Sequence, residues 1–595
     1  MSLRACDGCR VRKVRCDGVP SPEHIPCFHC RTSGTACKFE QAPKKRGPKS
    51  KSRRSVASAA GPHTSHGTSS PLANYDDTSS LTTSASPLLG PVSPVDGRTW
   101  GPTVSTATTG SRVFTPSGAA DLNDKIENIH QDLVRSLAAV DSNWSLSATV
   151  ERCINVYMEV IFGIRPIVCE ARIRSNLCLK PPRLSAEFSF LSCSSRSVSL
   201  STVPGALEEI RSYTLVIALC AGTAYLLSTP DGPNGALIGP IFLHASHELL
   251  HLYEYADIEC PDSSSLVIRM FQAGALHTDC KLRPSWHLFG AALRLGEQMQ
   301  LHDPRSLQGL DPLEVRLRVM AFRTLRISAR YHRDLENHPL SICDPPWSAL
   351  PSIDAESDVP PMMMTPSSMG MPSEYESQNL VAFSLSEKVW IAASDILVDL
   401  ECFARLDGRG TSIISTLSES HRDYFIEPYS AFLSVLDHLP QFLHSPDSVE
   451  LQDPAATAIQ RRNFWIQRTN LLVQYHCLRM LVLNRFAQHG LTTMIGVQST
   501  DAMIALRKTE IAHDMNAFIK SVPFDSLQVN GEACVTKIRY MGATLLEVIH
   551  QVQAPQVVNR ANSLFSSLLD ILTKLDSRAS DELVNESYIV AEPVC

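Results

Sequence analysis

Past residue 37 the chain has no two cysteines at C-x-x-C spacing, and twelve of its 18 cysteines, Cys153 to Cys595, are scattered. That scatter argues against a disulfide framework and fits free, buried thiols in a reducing compartment. Also missing are the G-x-S-x-G nucleophile elbow, the Walker phosphate loop and the G-x-G-x-x-G dinucleotide turn. Their absence removes the commonest sequence grounds for an enzyme. No apolar h-region opens the chain, so no secretory signal is expected. Sustained strand alternation is absent. One uncharged stretch, Ser212 to Pro230, approaches the length of a membrane span, but it holds three Thr, two Ser and a terminal Pro. A buried core helix is the expectation there, with no membrane partner.

What the chain does have is a cysteine pattern written twice. Cys6-Asp-Gly-Cys9 is followed after six residues by Cys16, and Cys27-Phe-His-Cys30 after six more by Cys37. Structural zinc takes four tetrahedral ligands, so two ions need eight ligand positions. Six thiolates fill eight positions when two of them bridge both metals, and Cys6 and Cys27, which open the repeats, are the natural pair. Cys6, Cys9, Cys27 and Cys30 alone also suit a single-zinc four-cysteine finger. That reading leaves Cys16 and Cys37, at identical offsets, without a purpose.

Charge points the same way. Residues Met1 to Arg54 carry 14 Lys and Arg against 4 Asp and Glu, a net +10, while the other 541 residues carry −17 of the overall −7. Six thiolates with two Zn²⁺ lower the head by only about 2 charges. A basic head on an acidic body suits a polyanionic partner for the head alone. The run Pro43 to Arg54, with Lys44, Lys45 and Arg46, reads as a nuclear import signal that also meets DNA phosphates.

The residues Cys6-Asp-Gly-Cys-Arg-Val-Arg-Lys-Val-Arg-Cys16-Asp-Gly, Pro26-Cys27-Phe-His-Cys30 and Cys37 resemble the fungal zinc binuclear cluster family of transcription factors. The resemblance implies that all six cysteines hold two Zn²⁺, with Cys6 and Cys27 bridging. It implies that the basic residues after Cys9 lie on a short helix whose end enters the major groove of double-stranded DNA. Arg12 and Lys13 match the positions that read a CGG-type triplet, where guanine offers O6 and N7 acceptors. Arg10 and Arg15 suit phosphates or the module's own backbone. The loop Asp17 to Pro26 is longer than in the shortest family members.

Seven segments follow from composition and periodicity: a zinc module at 1–40, a basic tail at 41–54, a Ser/Thr/Pro-rich disordered linker at 55–120, a helical domain at 121–350, a Pro/Met-rich loop or linker at 351–374, a further helical part at 375–578 and an acidic tail at 579–595. The fold class expected is a small zinc-stabilised DNA-binding module, a disordered linker and a large all-α regulatory body. Leu122, Ile126, Ile129, Leu133 and Leu137 share one helical face from near Asp121. The run is little more than two heptads, so packing against the body is favoured over a zipper, and a homodimer stays open. Further helices are expected over Thr149–Ile164, Pro240–Asp257, Ser285–Leu301, Asp311–Arg333, Asn379–Leu406, Ala455–Gln488, Asp501–Lys520 and Ala533–Gln553. From roughly 150 to 345 the body resembles the middle homology region of fungal cluster regulators. Ser285 to Asp303 looks like its most recognisable helix and Asp311 to Arg318 like the stretch that follows. Met320, Ala321 and Arg326 stand where that family carries an aromatic pair and an aspartate. Trp286, Phe289 and Leu293 read as core.

His247-Glu248-Leu-Leu-His251 is a literal H-E-x-x-H, with Asp257 where a third zinc ligand can fall. Glu254 stands where the compact protease form needs Gly, and the flanking leucines continue an ordinary amphipathic helix. The acidic and apolar residues from Ser580 to Glu592 suit either contact with transcriptional coregulators or a frayed acidic tail. Together these features predict a nuclear, sequence-specific regulator of RNA polymerase II transcription and no enzyme. The resemblance adds metabolic or biosynthetic target genes. The alternatives are a zinc metalloprotease acting through His247, Glu248 and His251, and a zinc scaffold that binds no DNA.

Overall fold

The computed structural model describes residues 6–7, 27, 30–31, 37–38, 117–140, 145–175, 180–184, 203–227, 235–336, 338, 360–364, 372–407 and 424–575. The chain divides into two compact units, Met1–Ala107 and Thr108–Cys595. Regular structure is helical throughout, with no strand among the described residues.

Local chemistry starts and stops the helices of the second unit. Helix α1, Ser117–Val140, begins slightly before Asp121. Helix α2, Leu146–Val156, is capped by Ser145, whose side chain accepts from Ala148 N. It runs into a π-turn at Tyr157–Ile161, which widens the last turn. Short α3, Glu170–Ser175, follows, then α4, Val203–Thr223, and α5, Gly235–Glu259. Asp262 and Ser265 form a reciprocal capping box that opens α6, Ser263–Thr278. Helix α7 is Leu282–Gln298. Asp311 caps α8, Pro312–Asp334, whose first position is a proline that has no N–H to leave unsatisfied. Helix α9, Pro372–Asp407, leads to α10, Ile426–Ser434, and short α11, Gln441–His444. Asp453 and Pro454 start the 35-residue α12, Pro454–Gln488, in the same way. Helices α13, Asp501–Ser521, α14, Phe524–Val529, α15, Gly531–Gln551, and α16, Pro555–Lys574, are the last helices among the described residues.

Two apolar cores organise these helices. In the first, α4 packs on α5 and α6, and α6 on α7. The stripe of α1 closes this core: Ile126, Leu133 and Leu137 are buried in it, and Leu122 and Ile129 pack on its edge. That face is therefore occupied within the chain. In the second core α12 is central, packed by α9, α13 and α15, with α16 against α15. Met362 and Met363, inside the Pro/Met-rich segment, are buried against the first core. Glu376 of α9 accepts from both of their backbone N–H groups at 2.6 and 3.0 Å. The uncharged stretch Ser212 to Pro230 lies largely in α4, where Ile217 to Ala221 are fully buried. Among the described residues no helix is long and apolar enough to cross a membrane.

Candidate metal centre

In the N-terminal unit, backbone hydrogen bonds assemble the sulfurs. Cys30 N donates to Cys27 Sγ and Cys27 N to Cys37 Sγ, each at 3.4 Å. Arg31 N returns to Cys27 O at 2.9 Å, closing a helical turn. Asp7 N donates to Lys38 O at 2.7 Å, which ties the first repeat to the end of the second. Cys6 is thereby brought alongside, its Sγ 3.8 Å from that of Cys27 and 3.5 Å from that of Cys30. The four sulfurs of Cys6, Cys27, Cys30 and Cys37 lie within 4.8 Å of one another, and all four residues are buried.

These donors fit zinc. Tetrahedral Zn–S bonds of about 2.3 Å place ligand sulfurs about 3.8 Å apart, close to the spacings of Cys6. Soft thiolates favour zinc over harder cations. Burial pushes the Cys37 thiol up while the Cys27 N–H pulls it back. A bound divalent cation removes such a proton outright. The single-zinc finger of Cys6, Cys9, Cys27 and Cys30 does not describe this tetrad, because Cys37 holds one of its corners. Cys9 and Cys16 lie outside the described residues, as do Arg10, Arg12, Lys13, Arg15, Lys44, Lys45 and Arg46.

The H-E-x-x-H motif lies on α5. His247 and His251 meet edge-on, ring centroids 4.4 Å apart, and His251 Nδ1 is 3.3 Å from Glu254. Asp257, the candidate third ligand, points elsewhere. It is fully buried and accepts from Arg211 Nε at 2.8 Å, Arg269 Nη1 at 2.5 Å and Ser265 Oγ at 2.6 Å. Both of its oxygens are spent on a structural network joining α4, α5 and α6. Leu249, Leu250 and Tyr253 bury the opposite face of α5. Among the described residues the cysteine tetrad alone gathers three or more His, Cys, Asp or Glu closely enough for a metal.

Sequence reasoning missed two cations in the body, Arg165 and Lys537, that line a cavity between its helices. The one available signal was Lys537 itself, set among Cys534, Val535 and Ile538 on a helix whose neighbours are apolar.

Residues 4–46 match the fungal Zn(2)-Cys(6) binuclear cluster domain family. The N-terminal segment is thus a cluster domain of that kind, and it binds two zinc ions. The same segment is similar to the glucose transport transcription regulator RGT1 of Candida glabrata, 49% identical over 45 residues, covering 8% of this chain and 3% of that protein. Against the regulator of the same name from Lachancea thermotolerans the figures are 51% over 45 residues, 8% and 4%. The transcription factor qa-1f of Neurospora crassa is 43% identical over 44 residues, covering 7% and 5%. The chain thus aligns with only a small fraction of the length of each of these curated relatives.

Proposed function

We propose that this chain is a nuclear, sequence-specific DNA-binding regulator of RNA polymerase II transcription. The observation that carries the reading is the buried tetrad of Cys6, Cys27, Cys30 and Cys37 inside a segment similar to transcription regulators. Cys6 comes from the first repeat but sits with three cysteines of the second. Cys9 and Cys16 are then two ligands short of a second tetrahedral site. Sharing two of the four tetrad cysteines between the ions supplies the missing two, and Cys6 and Cys27, which open the repeats, are the pair that the family resemblance makes bridging.

In this reading Arg12 and Lys13 read guanine edges of a CGG-like triplet. Arg10 and Arg15 meet phosphates, and Lys44, Lys45 and Arg46 add charge along the backbone. The helical body serves as a regulatory domain of the middle-homology kind. The acidic tail recruits coregulators, and the target genes are metabolic or biosynthetic.

Selection of bound duplexes from random DNA by the full chain tests the proposal, because it returns the triplet and the half-site spacing together. Lys13→Ala is expected to lose discrimination at the triplet, about 1–3 kcal/mol per base pair. Lys44→Ala with Lys45→Ala is expected to weaken binding to every sequence and to flatten its salt dependence. Full discrimination by Lys13→Ala sinks the groove assignment. Salt-independent or absent DNA binding leaves a zinc scaffold instead.

A further inference from the structure

The two cores of the helical unit share a cavity of about 260 Å³, with walls from both. Phe289 and Phe383 line it from the first core, Tyr331 and Trp390 from the second. Two cations also line it. Arg165 follows the π-turn, where Tyr157 Oη donates to the Arg165 carbonyl and accepts from Ile167 N, fixing the backbone. Its guanidinium lies against α6 so closely that a Cβ on Gly274 would stand 3.3 Å from Nη1. Lys537 enters from α15 in the other half and is 5% exposed.

Neither cation has a carboxylate. Among the described residues, no hydrogen bond or ion pair engages either side chain, and Lys537 rests 5.5 Å from the centre of the Tyr331 ring. Burial pushes both below their ordinary values; at Lys537 the thiols of Cys534 and Cys477 oppose the shift, and the Arg165 charge adds a smaller push downward. The other charges on the wall are committed. Glu532 has an interaction of its own and is not among the groups acting on Arg165 or Lys537. His277 and His332 share the Glu336 carboxylate at 3.3 and 2.6 Å. Ser328 and Asn470 add polar side chains without a partner among the described residues.

An unpaired cation buried as deeply as Lys537 is costly, and the half-buried Arg165 puts a second positive charge on the same cavity wall. Aromatic walls with a few convergent polar groups are the usual composition of a small-molecule site. We propose that this cavity binds a small organic carboxylate, its anion clasped between Arg165 and Lys537 and its hydrocarbon body against the aromatic walls. Because the cations come from opposite halves, the ligand ties the two cores together. This site stands whether or not the N-terminal module reads DNA.

Benzoate matches the chemistry, and benzamide is its uncharged counterpart of the same shape. The test is calorimetric titration and thermal unfolding of the zinc-loaded full chain with each, at matched ionic strength. Benzoate is expected to bind and to raise the unfolding midpoint of the helical body, and benzamide to do neither. Arg165→Met and Lys537→Met are each expected to weaken benzoate by at least about tenfold. Each variant is expected to melt no lower than the parent, because neither side chain has a hydrogen bond or ion pair to lose among the described residues. The proposal is overturned if the parent ignores benzoate, if benzamide binds as well, or if the folded variants bind benzoate undiminished. The benzoate–benzamide comparison needs only the parent chain, so it decides even if a variant fails to fold.

Discussion

Asp257 shows how one residue can carry two readings from sequence and only one in the fold. Its spacing from His251 admits a third zinc ligand, yet its carboxylate is fully buried between Arg211 and Arg269, which are 5% and 3% exposed. Arg211 also reaches Asp262 and the Cys260 carbonyl, both at 2.8 Å, so the network binds the end of α5 to the start of α6. Removing the central anion leaves Arg269 without a carboxylate in a dry site and Arg211 with Asp262 alone. Asp257→Ala is therefore expected to cost about 3–5 kcal/mol in unfolding free energy. His247→Ala, on the half-buried outer face of the same helix, should change stability by no more than about 0.5 kcal/mol. Thermal unfolding of the two variants checks the contrast. A zinc-dependent loss of comparable size at His247 would revive the protease reading.

At the scale of elements, close approach decides where α5 can lie. A Cβ on Gly235 would sit 2.0 Å from the Ala224 carbonyl oxygen, and one on Gly239 would sit 2.5 Å from the Tyr225 ring. Backbone cannot yield as a side chain can, so Gly235→Ala is expected to destabilise by about 1–3 kcal/mol. Gly205, exposed near the start of α4, has nothing within 4 Å of such an atom. Gly205→Ala should gain about 0.5–1 kcal/mol through helix propensity. Urea midpoints of the helical signal separate the two, and equal shifts at both positions would contradict the packing. The same scale shows what was legible beforehand. Amphipathic helices at a core's edge announce themselves: the expected Ser285–Leu301, Asp311–Arg333 and Asp501–Lys520 appear as α7, α8 and α13 with ends displaced by a few residues. Helix α6 did not, because Ser265 to Ala273 are buried on every side and no polar face sets a period. Central α12 hides polar residues in a buried position: Gln474 accepts from Trp390 Nε1 at 3.1 Å and donates to Ser386 at 2.6 Å. The metal site was readable because six cysteines at fixed offsets carry their geometry in one short segment. The cavity was not, since Arg165 and Lys537 meet only after the whole body has folded.

For the molecule as a whole, the two units rest on different forces. The described core of the first consists of four cysteines, whereas the body has two large apolar cores. Apolar burial contributes about 25 cal/mol per Å², so a module this small gains little from it, and metal–thiolate bonds must supply the rest. In comparable zinc-finger peptides metal binding is worth about 10–16 kcal/mol at neutral pH. A chelator strong enough to take both ions is therefore expected to abolish DNA binding. It should also expose the six module thiols to a thiol reagent, with two zinc ions released per chain. The body depends on neither ion, so far-UV circular dichroism and the thermal midpoint of the helical signal should be nearly unchanged. Zinc release, thiol counting and dichroism on one sample measure all three. Helix loss in step with zinc release would mean that the cluster supports the body as well. Release of one ion per chain would return the module to a single-metal finger.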